Sequence, residues 1–209
     1  NRAFSFLFIF DSLSFPSRKN PQVVINAFKQ AFGQNSDVKL TIKTMHLERI
    51  SAKVSREISA MVKDVQNINL IDSVYGKQQL VDLIASHHIF VSAHRAEGFG
   101  RLLPEVMHLK VPCIVSNFSG NTDYCSEDNC IFLDGHLVPV GDEYQFSDDR
   151  QYWFDADLND LSEKMSLSMN QYDDCKKKAE QAKMDTERLG IENMYPELAR
   201  QVDRIQKTV

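Results

Sequence analysis

The chain has 209 residues, 43% of them hydrophobic and 10% aromatic, with a net charge of −5. That apolar content can bury a full core, so disorder is not the expectation, and the length suits one large domain or one domain with a helical appendage. An acidic balance without a run of basic residues argues against a nucleic-acid groove or an anionic membrane surface as the main partner and leaves a small-molecule ligand.

The first element is the apolar run "FSFLFIF" (4–10), too short and wrongly flanked for a signal peptide. Further runs follow in "VKLTIKT" (38–44), "NINLI" (67–71), "HIFVSA" (88–93), "VPCIVS" (111–116) and "CIFL" (130–133). Near-continuous apolar stretches of this length suit strands buried on both faces of a parallel sheet. Amphipathic stretches lie between them. "NPQVVINAFKQAF" (20–32) offers Asn20 as a cap and Pro21 at the first helical position, and "LERISAKVSREISAMVKDV" (47–65) and "KQQLVDLIASH" (77–87) repeat the helical spacing. Strand followed by helix, repeated, predicts a Rossmann-like doubly wound α/β fold: about six parallel strands with helices on both faces.

Beyond residue 134 the pattern changes. "GHLVPVGDEYQFSDDRQYWFDAD" (135–157) has no clear period and reads as a long ordered loop anchored by Tyr144 and Trp153. From Asp157 onward the chain reads as a helical extension: "DLNDLSEKMSLSM", "YDDCKKKAEQAKMDTERL" and "YPELARQVDRIQ". The expected division is a core of residues 1–156 with C-terminal helices, 157–209, packed on it. Lys176 to Lys178 read as a solvated helix face. Cys113, Cys125, Cys130 and Cys175 lack both zinc-site spacing and the density of a disulfide scaffold, so they are expected as reduced thiols in a cytoplasmic protein. The start at Asn1, directly before an apolar run, is expected of a piece of a longer chain.

In the strand order 3-2-1-4-5-6 the connections leave strands 1 and 4 in opposite directions, and a crevice opens beyond their carboxyl ends. That brings "DSLSFPSRKN" (11–20) beside "HRAEGFGRLLPE" (94–105). Taken alone, "GFG" fits a structural turn better than a phosphate loop, and Arg18 and Lys19 read as solvated loop charges. Their convergence at one switch point makes a diphosphate cradle: two cations, glycines that permit close backbone approach, and a helix N-terminus with free N–H groups. Carboxylates do not suit phosphate, but they accept paired hydrogen bonds from diols, so Glu97 and Glu105 point to sugar hydroxyls. Glu105 is expected about one and a half turns into the helix.

The stretch "EGFGRLLPE" resembles the Glu-x(7)-Glu signature of the family-four retaining glycosyltransferases, built from two facing Rossmann-like domains (the GT-B architecture). "RKNPQVVINAF", "VSAHRAEGFG", "VPCIVSNFSGNTDYC" and "DNCIFL" follow in that family's order, so the resemblance covers roughly residues 4–170. It implies the C-terminal, donor-binding domain of an enzyme that moves a sugar from a nucleoside diphosphate sugar to a carbohydrate or lipid-linked acceptor in polysaccharide or glycolipid assembly. On this resemblance the N-terminal acceptor domain is expected to lie outside this chain, and the enzyme would work in the cytoplasm, peripheral to the inner face of the membrane.

Carried over by position, Glu97 would touch the donor sugar, Arg18 and Lys19 the departing diphosphate, and Glu105 the ribose. Gly98, Phe99 and Gly100, followed by Leu102 and Leu103, would line sugar and diphosphate. Ser73 and Val74, within the segment 72–75, would hold the base, and Asn121 would sit in the small-residue loop with Ser119 and Gly120. His94 neighbours the signature, although a histidine at a strand end more often orients a loop than catalyses. No cofactor and no metal are expected. The pattern departs from the family in offering Asp11 and Ser12 where many members carry an arginine, and in placing Pro104 directly before Glu105. Two other readings stay open: a non-catalytic nucleotide-sugar-binding module, and half of a sugar-nucleotide epimerase.

Overall fold

The computed structural model describes residues 3–141, 144 and 150–188; the stretch "YPELARQVDRIQ" lies outside them. Six parallel strands form the main sheet: β1 (Phe4–Ile9), β2 (Val38–Thr44), β3 (Ile68–Asp72), β4 (Ile89–Ser92), β5 (Cys113–Ser116) and β6 (Ile131–Leu133). Their order is β3-β2-β1-β4-β5-β6, the doubly wound arrangement expected from the alternation of runs.

Alternation along β1 explains the two layers. Phe6 and Phe8 point to one face, where Val24, Ile25 and Phe28 of helix α2 (Pro21–Phe32), Ile58 of α3 (Ala52–Val62) and Leu161 and Met165 of α6 (Leu158–Asn170) complete a core. Leu7 points to the other, among Ile84 of α4 (Lys77–Ala85), Leu103, Val106 and Met107 of α5 (Leu102–His108), and Ala182 of α7 (Tyr172–Glu187). Because both faces are covered, every second residue is buried on each, which is why the strands read as continuous apolar runs rather than as alternating ones. The four cysteines are buried free thiols. No described helix is long and apolar enough to cross a membrane.

Several local expectations change. The stretch 135–157 is not a plain loop: Gly135–Pro139 (β7) and Tyr152–Ala156 (β8) pair antiparallel, from Gly135 opposite Ala156 to Pro139 opposite Tyr152. Trp153, Phe154 and Ala156 are buried, and tertiary packing on a short strand supplied what periodicity did not show. Tyr144 does lie against Trp153, ring centroids 5.9 Å apart, and bridges it to Phe15 at 5.0 Å. The helix expected from residue 47 splits into a 3-10 turn, Leu47–Arg49, and α3, because Ile50 is extended. Asn20 stands before α2 in the left-handed region (φ 57°) and makes no side-chain capping bond to it, since a four-residue helix, α1 (Pro16–Lys19), runs directly into that position and is closed by the Asn20 N–H.

Helix α6 is capped by Asp157, whose carboxylate accepts from Asn159 N (2.7 Å) and Asp160 N (3.0 Å). Ser51, at the same position before α3, makes no such bond. Asp157→Ala is therefore expected to cost about 1 kcal/mol of stability, whereas Ser51→Ala should stay within about 0.5 kcal/mol. Urea denaturation midpoints of the two variants against the parent check the contrast.

Candidate functional site

A cleft of about 540 Å³ opens where β1 and β4 part, at the carboxyl ends of the strands. Its walls bring together Asp11, Ser14 and Lys19 after β1, Lys43 to Met45 at the end of β2, Tyr75 after β3, and His94, Glu97 and Gly100 after β4, with Leu102, Leu103 and Glu105 from α5 and Asn121 and Tyr124 from the loop after β5. Stretches eighty residues apart meet because the parallel order forces them to.

The loops after β1 and β4 are tied by charge. Lys19 Nζ donates to Glu97 Oε2, and Arg18 Nη1 lies 3.4 Å from Glu97 Oε1. Arg18 also donates to the Ala96 carbonyl at 2.8 Å, while the Arg95 N–H donates to the Arg18 carbonyl at 2.8 Å. Arg18 thus braces the loop behind Glu97, and of these two cations it is Lys19 that lines the cleft. Burial alone would push the Glu97 carboxyl up, but the Lys19 hydrogen bond and the charges of Lys19 and Arg18 outweigh it and hold Glu97 below the usual carboxylate range.

Backbone contacts shape the loop between Glu97 and α5. Gly120 N donates to Glu97 O (3.0 Å), and a Cβ on Gly120 would fall 1.3 Å from the Gly98 carbonyl oxygen, so only glycine lets the two loops approach. Ser119 beside it has φ 72° and ψ −156°, a region that side chains rarely enter; its hydroxyl accepts from Glu97 N at 2.8 Å, which holds the strained residue in place. Gly100 is left-handed (φ 74°), and the Tyr124 hydroxyl donates to the Phe99 carbonyl at 2.6 Å.

His94 is buried, and both ring nitrogens are engaged. The Asn121 amide N–H donates to the Ser116 carbonyl (2.8 Å), which turns Asn121 Oδ1 toward His94 Nε2 at 2.9 Å and requires a proton on that nitrogen. Nδ1 then accepts from the Ser92 hydroxyl at 3.0 Å. Burial lowers the His94 pKa, and its hydrogen bonds to Asn121 and Phe118 only partly oppose this, so the ring is neutral. This network joins β4 to the loop after β5.

Glu105 is exposed on the cleft wall. Helix α5 begins at Leu102, so Glu105 sits in the first turn rather than one and a half turns in. Pro104 is the third helical residue, where no intrahelical N–H is needed, which removes the objection to it. In the segment after β3, Val74 is exposed and Ser73 turns its carbonyl to Lys43; of this segment it is Tyr75 that lines the cleft. Gly98 presents its carbonyl to Gly120, and the Phe99 ring is exposed against Tyr124.

Lys43 and Tyr124 escaped sequence reasoning, and Tyr75 entered it only as the end of the segment 72–75. The strand carries two lysines, Lys39 and Lys43, and only the fold separates them: Lys39 is exposed, whereas Lys43 is 4% exposed. Burial lowers its pKa, partly countered by Asp72.

A family model described as "Glycosyl transferases group 1" matches residues 7–181. No curated protein matches the chain in sequence. The fold superposes on the glycosyltransferase from Rickettsia africae ESF-5 with a TM-score of 0.76 at 15% identity, covering 100% of this chain and 49% of that one. Anabaena HepE, in complex with UDP and glucose, gives 0.73 at 11% identity, with 97% and 49% covered. The C-terminal domain of the glycosyl transferase group 1 family protein LpcC from Francisella tularensis gives 0.66 at 15%, with 88% and 85% covered. The chain thus spans about half the length of the first two.

Two outcomes test this geometry. Gly120→Ala should cost more than about 2 kcal/mol, while Gly98→Ala, whose Cβ would meet nothing within 4 Å, should stay within about 0.5 kcal/mol, as read by thermal denaturation. For His94 the folded-state pKa lies below the ordinary 6.5, so the unfolded chain takes the proton first and stability falls as pH drops below that value. His94→Gln should flatten that part of the stability–pH curve in denaturant titrations.

Proposed function

Because the chain belongs to the glycosyl transferases of group 1, we propose that its cleft is the donor site of a retaining sugar transfer, in which a nucleoside diphosphate sugar gives its sugar to an acceptor hydroxyl. The observation that carries this reading is one cleft lined by Lys19, Glu97 and Glu105, a cation paired with one carboxylate and sharing the cleft with a second. That combination matches a ligand with an anionic middle and hydroxyl-bearing sugars on either side.

In this reading Lys19, backed by Arg18, opposes the charge that grows on the departing diphosphate, where a preorganised cation acts most strongly, and no metal ion is required. Glu97 accepts from donor-sugar hydroxyls, and its depressed pKa keeps it an acceptor at neutral pH. Glu105, on the first turn of α5, accepts from the ribose diol. Gly100 and Leu102 to Leu103 bound the diphosphate. His94 acts as a positioning residue through Asn121 rather than as a base, since both ring nitrogens are taken. The complex of Anabaena HepE with UDP and glucose supports a nucleotide sugar as the ligand class. The acceptor, carbohydrate or lipid-linked, belongs to a second domain of the longer enzyme, acting in polysaccharide or glycolipid assembly at the cytoplasmic face of a membrane.

Calorimetry with UDP, GDP, ADP and dTDP and their glucose esters tests the assignment. At least one pair should bind. Glu105→Ala should weaken both the nucleoside diphosphate and its sugar ester by about 1–3 kcal/mol, the scale of hydrogen bonds to a charged acceptor. Glu97→Ala should leave the nucleoside diphosphate undiminished and weaken only the sugar ester. Failure of every nucleotide to bind the parent would reject the donor site, and identical profiles for the two variants would reject the division of roles.

A further inference from the structure

The part of the cleft farthest from Glu97 in strand order, at the ends of β2 and β3, holds a group that the assignment above leaves without a task. Lys43 is a lysine buried to 4% exposure among the cleft-lining residues. Its ammonium donates to the Thr44 carbonyl at 2.7 Å and to the Ser73 carbonyl, and lies 4.5 Å above the centre of the Tyr75 ring. An ammonium has three N–H donors, so two bonds to carbonyls leave one for a further acceptor.

Beyond those carbonyls and the nearby Asp72 carboxylate, the surroundings are largely apolar. Lys43 is paired with Ile9 on β1, and Ile9, Leu80 and Tyr75 line the same cleft. A pure donor set within apolar and aromatic walls describes a slot for a planar ring with a polar edge. A desolvated, unused donor is costly to leave unmatched, and that cost is what discriminates between ring edges.

We propose that Lys43 reads the nucleobase of the donor, selecting a base that presents a carbonyl oxygen (uracil, thymine or guanine) over one that presents an amino group at the same ring position (cytosine or adenine). This rests on the nucleotide-sugar reading above. The ammonium cannot accept a hydrogen bond, so an exocyclic amino group facing it leaves two donors opposed, whereas a carbonyl oxygen completes the third N–H bond. Lys43 is held at a fixed point by the Thr44 and Ser73 carbonyls, so little side-chain freedom is lost on binding. The Tyr75 ring faces the same ammonium and polarises with it, making Tyr75 the wall on which the charge, rather than a stacked base, is seated.

The experiment compares isosteric pairs: UDP against CDP, and IDP against ADP, with inorganic pyrophosphate as a third arm, by calorimetry on the 209-residue protein and on Lys43→Met and Lys43→Arg. The parent should bind the carbonyl member of its preferred pair at least about tenfold more tightly, the worth of one hydrogen bond from a charged donor. Lys43→Met should bring that ratio close to one while leaving pyrophosphate affinity unchanged, and Lys43→Arg should keep most of it. A ratio near one in the parent overturns the proposal even if Lys43→Met fails to fold. So does an unchanged ratio in Lys43→Met, or a loss of pyrophosphate affinity with the ratio intact, which would make Lys43 a phosphate ligand. Absence of binding by every nucleotide to the parent strikes the donor-site reading itself, a separate result.

Discussion

The cleft depends on one constraint: β1 is flanked on both sides by parallel strands whose connections depart in opposite directions. Nothing can fill the space beyond its carboxyl end, because α2 leaves toward one face and the chain through β4 leaves toward the other. The loops after β1 and β4 face each other across that space, and the sheet below them is too well packed to deform. Phe6, Leu7 and Phe8 are all buried, on two faces, and fix the height at which Lys19 and Glu97 meet. Charge therefore does not create the site. It is placed on a gap that strand order makes.

The loops themselves are held by polar satisfaction rather than by apolar burial. Glu97 N is taken by the Ser119 hydroxyl, Glu97 O by Gly120 N, His94 O by the Ser116 hydroxyl, and His94 Nε2 by Asn121. Each of these bonds crosses from the loop after β4 to β5 or the loop that follows it. A left-handed Gly100 and a strained Ser119 persist because their neighbours over-determine them. The consequence is a rigid cleft wall whose carboxylate, Glu97, arrives already oriented. The hairpin β7–β8 adds a second brace: the Phe154 N–H donates to the Arg95 carbonyl at 2.9 Å, and the Arg95 guanidinium meets Asp155 at 2.8 Å.

Strand order, helix placement and the meeting of residues 18–19 with residue 97 were legible in the sequence because each follows from a long-range rule applied to strong local patterns. Apolar runs separated by amphipathic stretches leave few topologies, and the topology then brings distant loops together. What was not legible has a different character. The pairing of Gly135–Pro139 with Tyr152–Ala156 is a contact between two short segments, each without a convincing period, and its stability comes from burying Trp153 and Phe154. Lys43 was hidden because its strand alternates correctly: Lys39 on the same face parity is exposed, and nothing local distinguishes a lysine at the open end of a strand from one at the cleft end. The start of α5 depended on where the Gly100 turn closes, a matter of backbone angle that Pro104 constrained but did not locate.

The net charge of −5 hides the organisation that matters. Around the cleft the protein places Lys19 and Lys43 at different depths, each desolvated enough to act strongly and each tied to an oxygen acceptor of its own chain, a carboxylate for Lys19 and carbonyls for Lys43. A carboxylate partner neutralises a cation and must be outcompeted by any anion that arrives, whereas carbonyl partners position a cation and leave its charge available. Lys19 is thus matched to a ligand group of high charge, which can compete with Glu97, and Lys43 to a neutral acceptor, which needs only a vacant N–H. The difference in partners, more than the difference in place, divides the cleft into a region that can recognise charge and a region that can recognise shape and hydrogen-bonding pattern.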